Sequence, residues 1–339
     1  MRIKSLISAI ALSVISAGSA FPQSMIDIHC HNILPEYLEL LDRHDAAMEE
    51  TFPLPQWSLE KHLAFMDSAG IATSVLTMPA PQPYFGDTEE CRKIIRLYNE
   101  YCANLKKQYP GKFKFCAALP LPDVAAAIDE AIFALDSLGA DGVKMATNSR
   151  GLYICDEELD KLMDVLNERN AVVILHPHKP NPVNDSIVAI SPLAVFEYPA
   201  ETTRAVINLI SRNVLARYPN IKMVVPHCGS FLPLAIPRMK NVLPAMIAKG
   251  YMLPVDFDKN LANLYFDLAG SASPELVKTM LTITSHDHIL YGSDYPYMPE
   301  NVLIENLNRM KRLFSTDTEL APYIEQIFSG NAAKLFNIK

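Results

Sequence analysis

Eight short apolar stretches rich in β-branched residues recur along this 339-residue chain, spaced widely enough for a helix to lie between most of them. They occupy residues 25–31, 71–78, 112–119, 142–146, 171–176, 221–227, 264–269 and 288–293. Amphipathic segments separate most of them, and some begin at a good N-cap residue such as Ser58 or Asp123. Buried strands that alternate with helices indicate a parallel sheet, and eight such units predict an α/β fold that closes into a (β/α)8 TIM barrel.

The first twenty residues have the composition of a secretory signal peptide. Arg2 and Lys4 precede an uncharged apolar stretch at 6–17, and Gly18-Ser19-Ala20 provides small residues at the cleavage point. We therefore expect a signal peptide at 1–20, one barrel domain at 21–339, and an exported, periplasmic protein. An uncleaved membrane anchor is the alternative, but the apolar stretch is short for a bilayer, so we expect no membrane association after cleavage.

The charge content argues against a nucleic-acid-binding protein, and the cysteine content argues against a disulfide-stabilised one. Without Arg2 and Lys4 the chain has 28 basic and 38 acidic residues, and the basic residues form no cluster. Such a surface does not predict nucleic-acid binding. The six cysteines have no CxxC spacing, so we expect buried free thiols and no disulfide framework.

Chemistry-bearing side chains end four of the predicted strands. His29 and His31 end the first, His176 the fifth and His227 the sixth, while Asp294 follows the eighth. Alternation along a strand places His29 and His31 on one face and Cys30 on the other. Because TIM barrels build their active sites at the carboxyl ends of their strands, we expect one metal site there. Imidazoles with a carboxylate suit one divalent ion, zinc in the first place and manganese as the alternative.

The ordered motifs resemble those of the amidohydrolase superfamily. The resemblance is strongest to its decarboxylase branch, which includes aminocarboxymuconate semialdehyde, γ-resorcylate and 6-methylsalicylate decarboxylases. It is carried by His29-Cys30-His31, His176, His227-Cys228-Gly229-Ser230 and Gly292-Ser293-Asp294-Tyr295-Pro296. It implies the metal ligands His29, His31, His176 and Asp294, with His227 as an acid–base group and Asp294 as a second catalytic group. The implied reaction is non-oxidative decarboxylation of a small aromatic or unsaturated carboxylic acid.

The same resemblance implies a homodimer. Arg238 matches an arginine that the semialdehyde decarboxylases project into a neighbouring subunit, and a guanidinium suits a substrate carboxylate. A solvated arginine on a helix surface is an equal alternative. Further predicted substrate contacts are His178, Trp57, Phe85 and Tyr297. His286 and His288 repeat the HxH pattern but precede the eighth strand, so we do not expect them to be ligands.

Two other functions stay open. Lys144 lies in the fourth predicted strand, where other amidohydrolases carry a carboxylated lysine that bridges two metals. If it does so here, a metal-dependent hydrolase or lactonase is the better prediction, and the export signal also favours hydrolysis. The other alternative is a non-catalytic ligand-binding protein. The presence of His227 beside a full ligand set argues against it, because binding alone needs no proton-transfer group.

Overall fold

The computed structural model describes residues 24–184, 186, 188, 192–270 and 272–338, so the predicted signal peptide lies outside the described residues. Eight parallel strands form one sheet in chain order, which confirms the predicted (β/α)8 barrel. They are β1 (Met25–His31), β2 (Ile71–Thr77), β3 (Phe113–Ala117), β4 (Gly142–Ala146), β5 (Val172–His176), β6 (Lys222–Val225), β7 (Leu264–Asp267) and β8 (Ile289–Leu290). A two-residue hairpin, Asn148–Ser149 with Leu152–Tyr153, follows β4.

Hydrogen bonds between β1 and the segment after β8 close the barrel. The amide of Ile28 donates to the carbonyl of Tyr291 at 3.1 Å, and the amide of His31 donates to that of Tyr295 at 2.7 Å. Cys30 and Tyr295 form a parallel bridge. The two chain segments that carry His29, His31 and Asp294 are therefore held side by side.

Helices surround the sheet. They are α1 (Pro35–Arg43), α2 (Leu59–Ala69), α3 (Thr88–Gln108), α4 (Val124–Asp136), α5 (Asp160–Glu168), α6 (Glu197–Ser211), α7 (Val214–Arg217), α8 (Leu232–Ala248), α9 (Phe257–Leu261), α10 (Pro274–Met280), α11 (Glu300–Thr316) and α12 (Asn331–Leu335). The expected N-caps form at α2 and α4, where Ser58 accepts from the amide of Lys61 and Asp123 accepts from that of Ala126. No helix within the described residues is long and apolar enough to cross a membrane.

Two apolar cores hold the barrel together. The larger core fills the layer between strands and helices and includes Cys30, which confirms that this side chain turns away from its histidine neighbours. The smaller core fills the inside of the barrel, with Ile28, Ile174 and Leu290 among its members, and Phe336 at the end of α12 packs onto it. Since α12 closes the amino-terminal end through Asn331, which donates to the carbonyl of Ile289, the carboxyl ends of the strands are left to form a site.

Candidate active site and metal centre

Four of the predicted ligands meet at the carboxyl end of the barrel. One donor atom each from His29, His31, His176 and Asp294 lies within 4.8 Å of all the others. The Nε2 atoms of His29 and His31 are both 3.4 Å from Oδ1 of Asp294. Strands β1 and β5 and the turn after β8 thus bring together three imidazoles and one carboxylate, a set that suits a single metal ion.

The opposite ring nitrogen of each histidine is anchored. Nδ1 of His29 donates to Oδ2 of Asp267 at 2.7 Å, and Nδ1 of His176 donates to the carbonyl of Pro177 at 2.9 Å. Thr77 gives its hydroxyl proton to the carbonyl of Cys30, so its oxygen accepts from Nδ1 of His31 at 3.0 Å. These bonds place the proton on Nδ1 in all three rings and direct each Nε2 lone pair toward the shared centre.

Three atoms at this centre are buried without a hydrogen-bond partner in the described part of the chain. They are Nε2 of His29, Nε2 of His31 and Oδ1 of Asp294. Leaving three neighbouring polar atoms unpaired would be costly, whereas a divalent cation would satisfy all of them at once. The donor set and its unpaired atoms therefore fit a metal ion.

The protonation states of His31, His176 and Asp294 agree with this role. Burial lowers the pKa of His31 to about 4 and that of His176 well below its ordinary value, so both rings stay neutral. Burial also acts to lower the pKa of His29, but the carboxylate of Asp267 outweighs it and raises that pKa to about 9. Burial acts to raise the pKa of Asp294, yet the adjacent imidazoles of His227, His31 and His29 outweigh it and hold this pKa well below the usual range. His31, His176 and the ionised carboxylate of Asp294 are thus in the ligand form, whereas His29 carries a second proton that a metal ion would displace from Nε2.

His227 reaches the site by a turn and not by strand alternation. Alternation predicts that Met223, Val225 and His227 share a face. Strand β6 ends at Val225, however, and both Met223 and Val225 pack outward against the helices. From His227 to Ser230 the backbone φ angles are all positive, and this turn redirects the ring inward. Nε2 of His227 lies 3.9 Å from Oδ2 of Asp294, and the side chain keeps 17% of its surface exposed. His227 thus borders the cluster of His29, His31, His176 and Asp294 on its solvent-accessible side.

A cavity of about 440 Å³ opens over these groups. Its lining combines polar groups of the centre with apolar and aromatic walls: Phe52, His176, Pro192, Ala194, Val195, Tyr198, His227, Gly270, Asp294, Tyr297 and Met298. A mostly apolar pocket with a few convergent polar groups is the usual form of a small-molecule site.

Two of the predicted substrate contacts lie at or beside this cavity. Tyr297 lines it and its ring meets that of His31 edge-on at 5.2 Å. His178 is buried and does not line the cavity itself; its Nε2 lies 3.0 Å from Oε1 of Glu50. Glu50 in turn accepts from the hydroxyl of the cavity residue Tyr198 at 2.8 Å.

The other three predicted contacts do not line the cavity. Trp57 donates from its indole nitrogen to His62 and packs on the outer core. Phe85 stacks on His44 with a centroid distance of 4.5 Å. Arg238 is exposed on α8. The structure therefore does not bring these side chains together with the metal cluster of the same chain. His288 hydrogen-bonds the carbonyl of Leu264 near the amino-terminal end, away from the cluster.

Sequence reasoning missed Asp267. This buried residue ends β7 and binds three groups of the site: its Oδ2 accepts from His29, and its Oδ1 accepts from the amides of His227 and Ala269, both at 3.0 Å. An acidic residue at the carboxyl end of an apolar strand was the available signal. Thr77, which binds His31, is likewise a polar residue at the carboxyl end of an apolar strand, β2.

Comparison with known proteins places the chain in a family. The amidohydrolase family profile matches residues 26–338. The chain belongs to the amidohydrolase family. This membership confirms the resemblance drawn from the motifs and makes the protein a metal-dependent enzyme of that superfamily, as predicted.

Several relatives share most of its length. A decarboxylase named yanB from Aspergillus niger is 32% identical over 326 residues, covering 92% of this chain and 87% of the relative. The 6-methylsalicylic acid decarboxylase of Penicillium expansum is 30% identical, with 92% and 95% covered. An amidohydrolase II crystal structure superposes with a TM-score of 0.84 at 31% identity, over 93% of this chain and all of that chain.

A more distant structure shares the fold at 20% identity. It is a dihydroxybenzoic acid decarboxylase from Polaromonas that holds manganese and the inhibitor 2-nitroresorcinol. It superposes with a TM-score of 0.78 over 93% of this chain and 97% of that chain. The two proteins thus share the barrel fold at low sequence identity.

Proposed function

We propose that this amidohydrolase is a non-oxidative decarboxylase of a small aromatic carboxylic acid, of the hydroxybenzoate class. The observation that carries the proposal is the set of buried, unpaired atoms of His29, His31 and Asp294 at the base of a cavity with aromatic walls. Relatives at least 30% identical over 92% of the chain bear the name decarboxylase, which favours this reaction over hydrolysis.

In this proposal His29, His31, His176 and Asp294 hold one divalent ion. Three imidazoles and a carboxylate favour zinc, and manganese is the alternative because a relative of the same fold contains it. The ion supplies a Lewis acid that draws electron density from oxygens of the substrate. The apolar walls, including Phe52 and Met298, surround the ring and exclude water from it.

The chain supplies the proton that the reaction needs. In this proposal the proton comes from His227, which lines the cavity with its Nε2 3.9 Å from Oδ2 of Asp294. Proton transfer to the ring carbon that bears the carboxylate forms a C–H bond. The carbon–carbon bond then breaks, its electron pair returns to the ring, and carbon dioxide leaves. One proton is consumed for each carbon dioxide released.

Elemental analysis combined with a product screen tests this function. The purified protein should contain one divalent ion per chain and release carbon dioxide from at least one 2-hydroxybenzoate. Two ions per chain, or water-dependent cleavage of an ester, lactone or amide without carbon dioxide release, would replace the decarboxylase with a hydrolase.

We also propose that the enzyme is exported to the periplasm. The signal-like composition of residues 1–20 supports this proposal.

We further propose that the enzyme acts as a homodimer in which Arg238 enters the partner's site. The exposed position of Arg238 on α8 supports this proposal. Mixing Arg238→Ala with His227→Asn should restore activity that neither variant has alone, since one site of the mixed dimer is intact. Full activity of Arg238→Ala by itself would contradict this role.

A further inference from the structure

Asp27 is a buried carboxylate that joins the two chain segments carrying His29 and Asp294. It lies on β1, two residues before His29, and none of its surface is exposed. Its Oδ1 accepts from the amide of His29 at 3.1 Å and from the amide of Ser293 at 3.0 Å. Its Oδ2 accepts from the hydroxyl of Ser293, the residue that immediately precedes Asp294. One carboxylate thus holds the backbone on both sides of the metal cluster.

The hydroxyl of Ser293 extends this link past Asp294. Because Ser293 gives its hydroxyl proton to Asp27, its oxygen is free to accept, and it accepts from the amide of Tyr295 at 3.0 Å. The amide of Asp294 itself donates to the carbonyl of His29 at 2.8 Å. Three consecutive amides around the cluster carboxylate are therefore fixed, two of them by Asp27 and its bonded Ser293.

Asp294 has a backbone conformation that needs such support. Its φ angle is +61°, in the left-handed region that costs free energy for any residue with a Cβ atom. With a negative φ the side chain would leave the backbone in another direction. Its Oδ1 would then lose the position 3.4 Å from Nε2 of both His29 and His31. Strained conformations of this kind persist only where surrounding contacts hold them.

We propose that Asp27 is a positioning residue for the metal centre, and that it acts through Ser293 to hold Asp294 in the conformation in which its carboxylate faces His29 and His31. The inference rests on the proposed function, since it takes these residues to hold a metal ion. Asp27 does not belong to the ligand cluster, and both of its oxygens already accept hydrogen bonds. Its contribution is to prepare the site before the ion binds.

Zinc affinity, measured by competition with a chelator, tests this role in the absence of any substrate. Asp27→Asn keeps an oxygen for the two amides but removes the acceptor of the Ser293 hydroxyl proton. Ser293→Ala removes that hydroxyl and leaves β1 unchanged. We expect each variant to bind zinc roughly 10- to 100-fold more weakly than the wild type, as is usual for loss of an outer-shell partner.

The double variant distinguishes a joint effect from two separate ones. If Asp27 acts through Ser293, combining Asp27→Asn with Ser293→Ala should cost no more zinc affinity than the larger of the two single losses, because both substitutions break the same hydrogen bond. Losses that multiply in the double variant would overturn the proposal.

A buried carboxylate remote from the cluster provides the control for a purely structural effect. Glu130 on α4 accepts from Asn99 at 2.8 Å and from Arg96 at 2.7 Å. Glu130→Gln should lower the unfolding free energy of the metal-free protein and leave zinc affinity unchanged. An equal loss of zinc affinity in Glu130→Gln and Asp27→Asn would overturn the proposal.

Cobalt(II) gives an independent readout, since its visible absorption reports the geometry of its ligands. The spectrum of cobalt-loaded Ser293→Ala should differ from that of the wild type, and the spectrum of Glu130→Gln should not. A wild-type spectrum together with wild-type zinc affinity in Ser293→Ala would contradict the proposed positioning.

The two proposals fail separately. Wild-type zinc affinity in both Asp27→Asn and Ser293→Ala would overturn the role of Asp27 alone. Zinc binding that depends on Asp27, without carbon dioxide release from any hydroxybenzoate, would support that role and overturn the decarboxylase function alone. Failure of the wild type to bind zinc, cobalt or manganese would overturn both.

Discussion

At the residue scale, each histidine of the proposed metal site is oriented by a different partner: a carboxylate for His29, a hydroxyl for His31 and a backbone carbonyl for His176. The partners fix which nitrogen carries the proton, so that all three lone pairs point at one centre. The partner of His29 differs from the others in carrying charge, which makes that imidazole the most basic of the three.

Asp267→Asn should therefore weaken metal binding. The asparagine keeps one oxygen that can accept from the amides of His227 and Ala269, but it removes the negative charge beside His29. We therefore expect a roughly 10- to 100-fold loss of metal affinity. Competition with a chelator measures it. The exposed Asp258 provides a matched control, and Asp258→Asn should leave the affinity unchanged. Equal affinities for the two variants would show that Asp267 only supports the backbone.

His227→Asn should separate proton transfer from metal binding. His227 lies outside the four-residue ligand cluster, so metal content should stay at the wild-type level. Loss of the proton-transfer group should lower kcat by about 100-fold or more. Elemental analysis and carbon dioxide release measure the two quantities. Substantial turnover in this variant would remove His227 from the mechanism.

At the element scale, the turn after β6 aims His227, the proposed acid–base residue. Its residues His227, Cys228, Gly229 and Ser230 all have positive φ. Such conformations are costly for residues with a Cβ atom, and they persist here because the surrounding contacts hold the turn. A Cβ atom on Gly229 would lie 3.0 Å from the ring of Phe266 on β7. A side chain at this position would therefore press on the ring of Phe266.

Gly229→Ala should consequently lower both stability and kcat. Gly111 is the matched control: its φ is +81°, but no described atom lies within 4 Å of the position that a Cβ atom would take, so Gly111→Ala carries only the backbone strain. We expect each variant to lose about 1 kcal/mol of unfolding free energy from that strain, with a further loss for Gly229→Ala. Only Gly229→Ala should slow turnover. Equal kcat values would show that the turn tolerates displacement.

At the scale of the whole molecule, loops from distant parts of the chain are joined over the site. Glu50, in the loop before α2, contacts His178 after β5 and Tyr198 on α6. The hydroxyl of Thr51 accepts from the amide of Leu193 at 2.9 Å. The buried carboxyl of Glu50 therefore couples the stability of the fold to pH.

Burial raises the pKa of Glu50 from 4.5 to about 7. Between these values the folded protein holds a proton that the unfolded chain releases, so this residue makes stability fall as pH rises from about 4.5 to 7. Glu50→Gln removes the titration. Relative to the wild type, its unfolding free energy should rise across this window by up to about 3 kcal/mol.

Denaturant unfolding at pH 5 and pH 8 measures this difference. The exposed Glu60 is the control, and Glu60→Gln should follow the wild type at both pH values. A difference between Glu50→Gln and the wild type that does not change with pH would contradict the prediction.

The sequence by itself determined the barrel and the meeting of His29, His31, His176 and Asp294. Strand alternation is a local property, and the succession of strands and helices along the chain predicts parallel strands whose carboxyl ends converge. The same local rule placed Cys30 on the face opposite His29 and His31, but it did not predict the register shift between Asp27 and Cys30 that lets Ile28 also face the interior.

Only the tertiary structure decided how the site is completed. Asp267 anchors His29 across 238 residues of chain, and the turn at Gly229 redirects His227 against the strand pattern. The placement of Trp57 against His62 was decided in the same way. These features depend on which distant side chains pack together, and no local periodicity encodes such contacts.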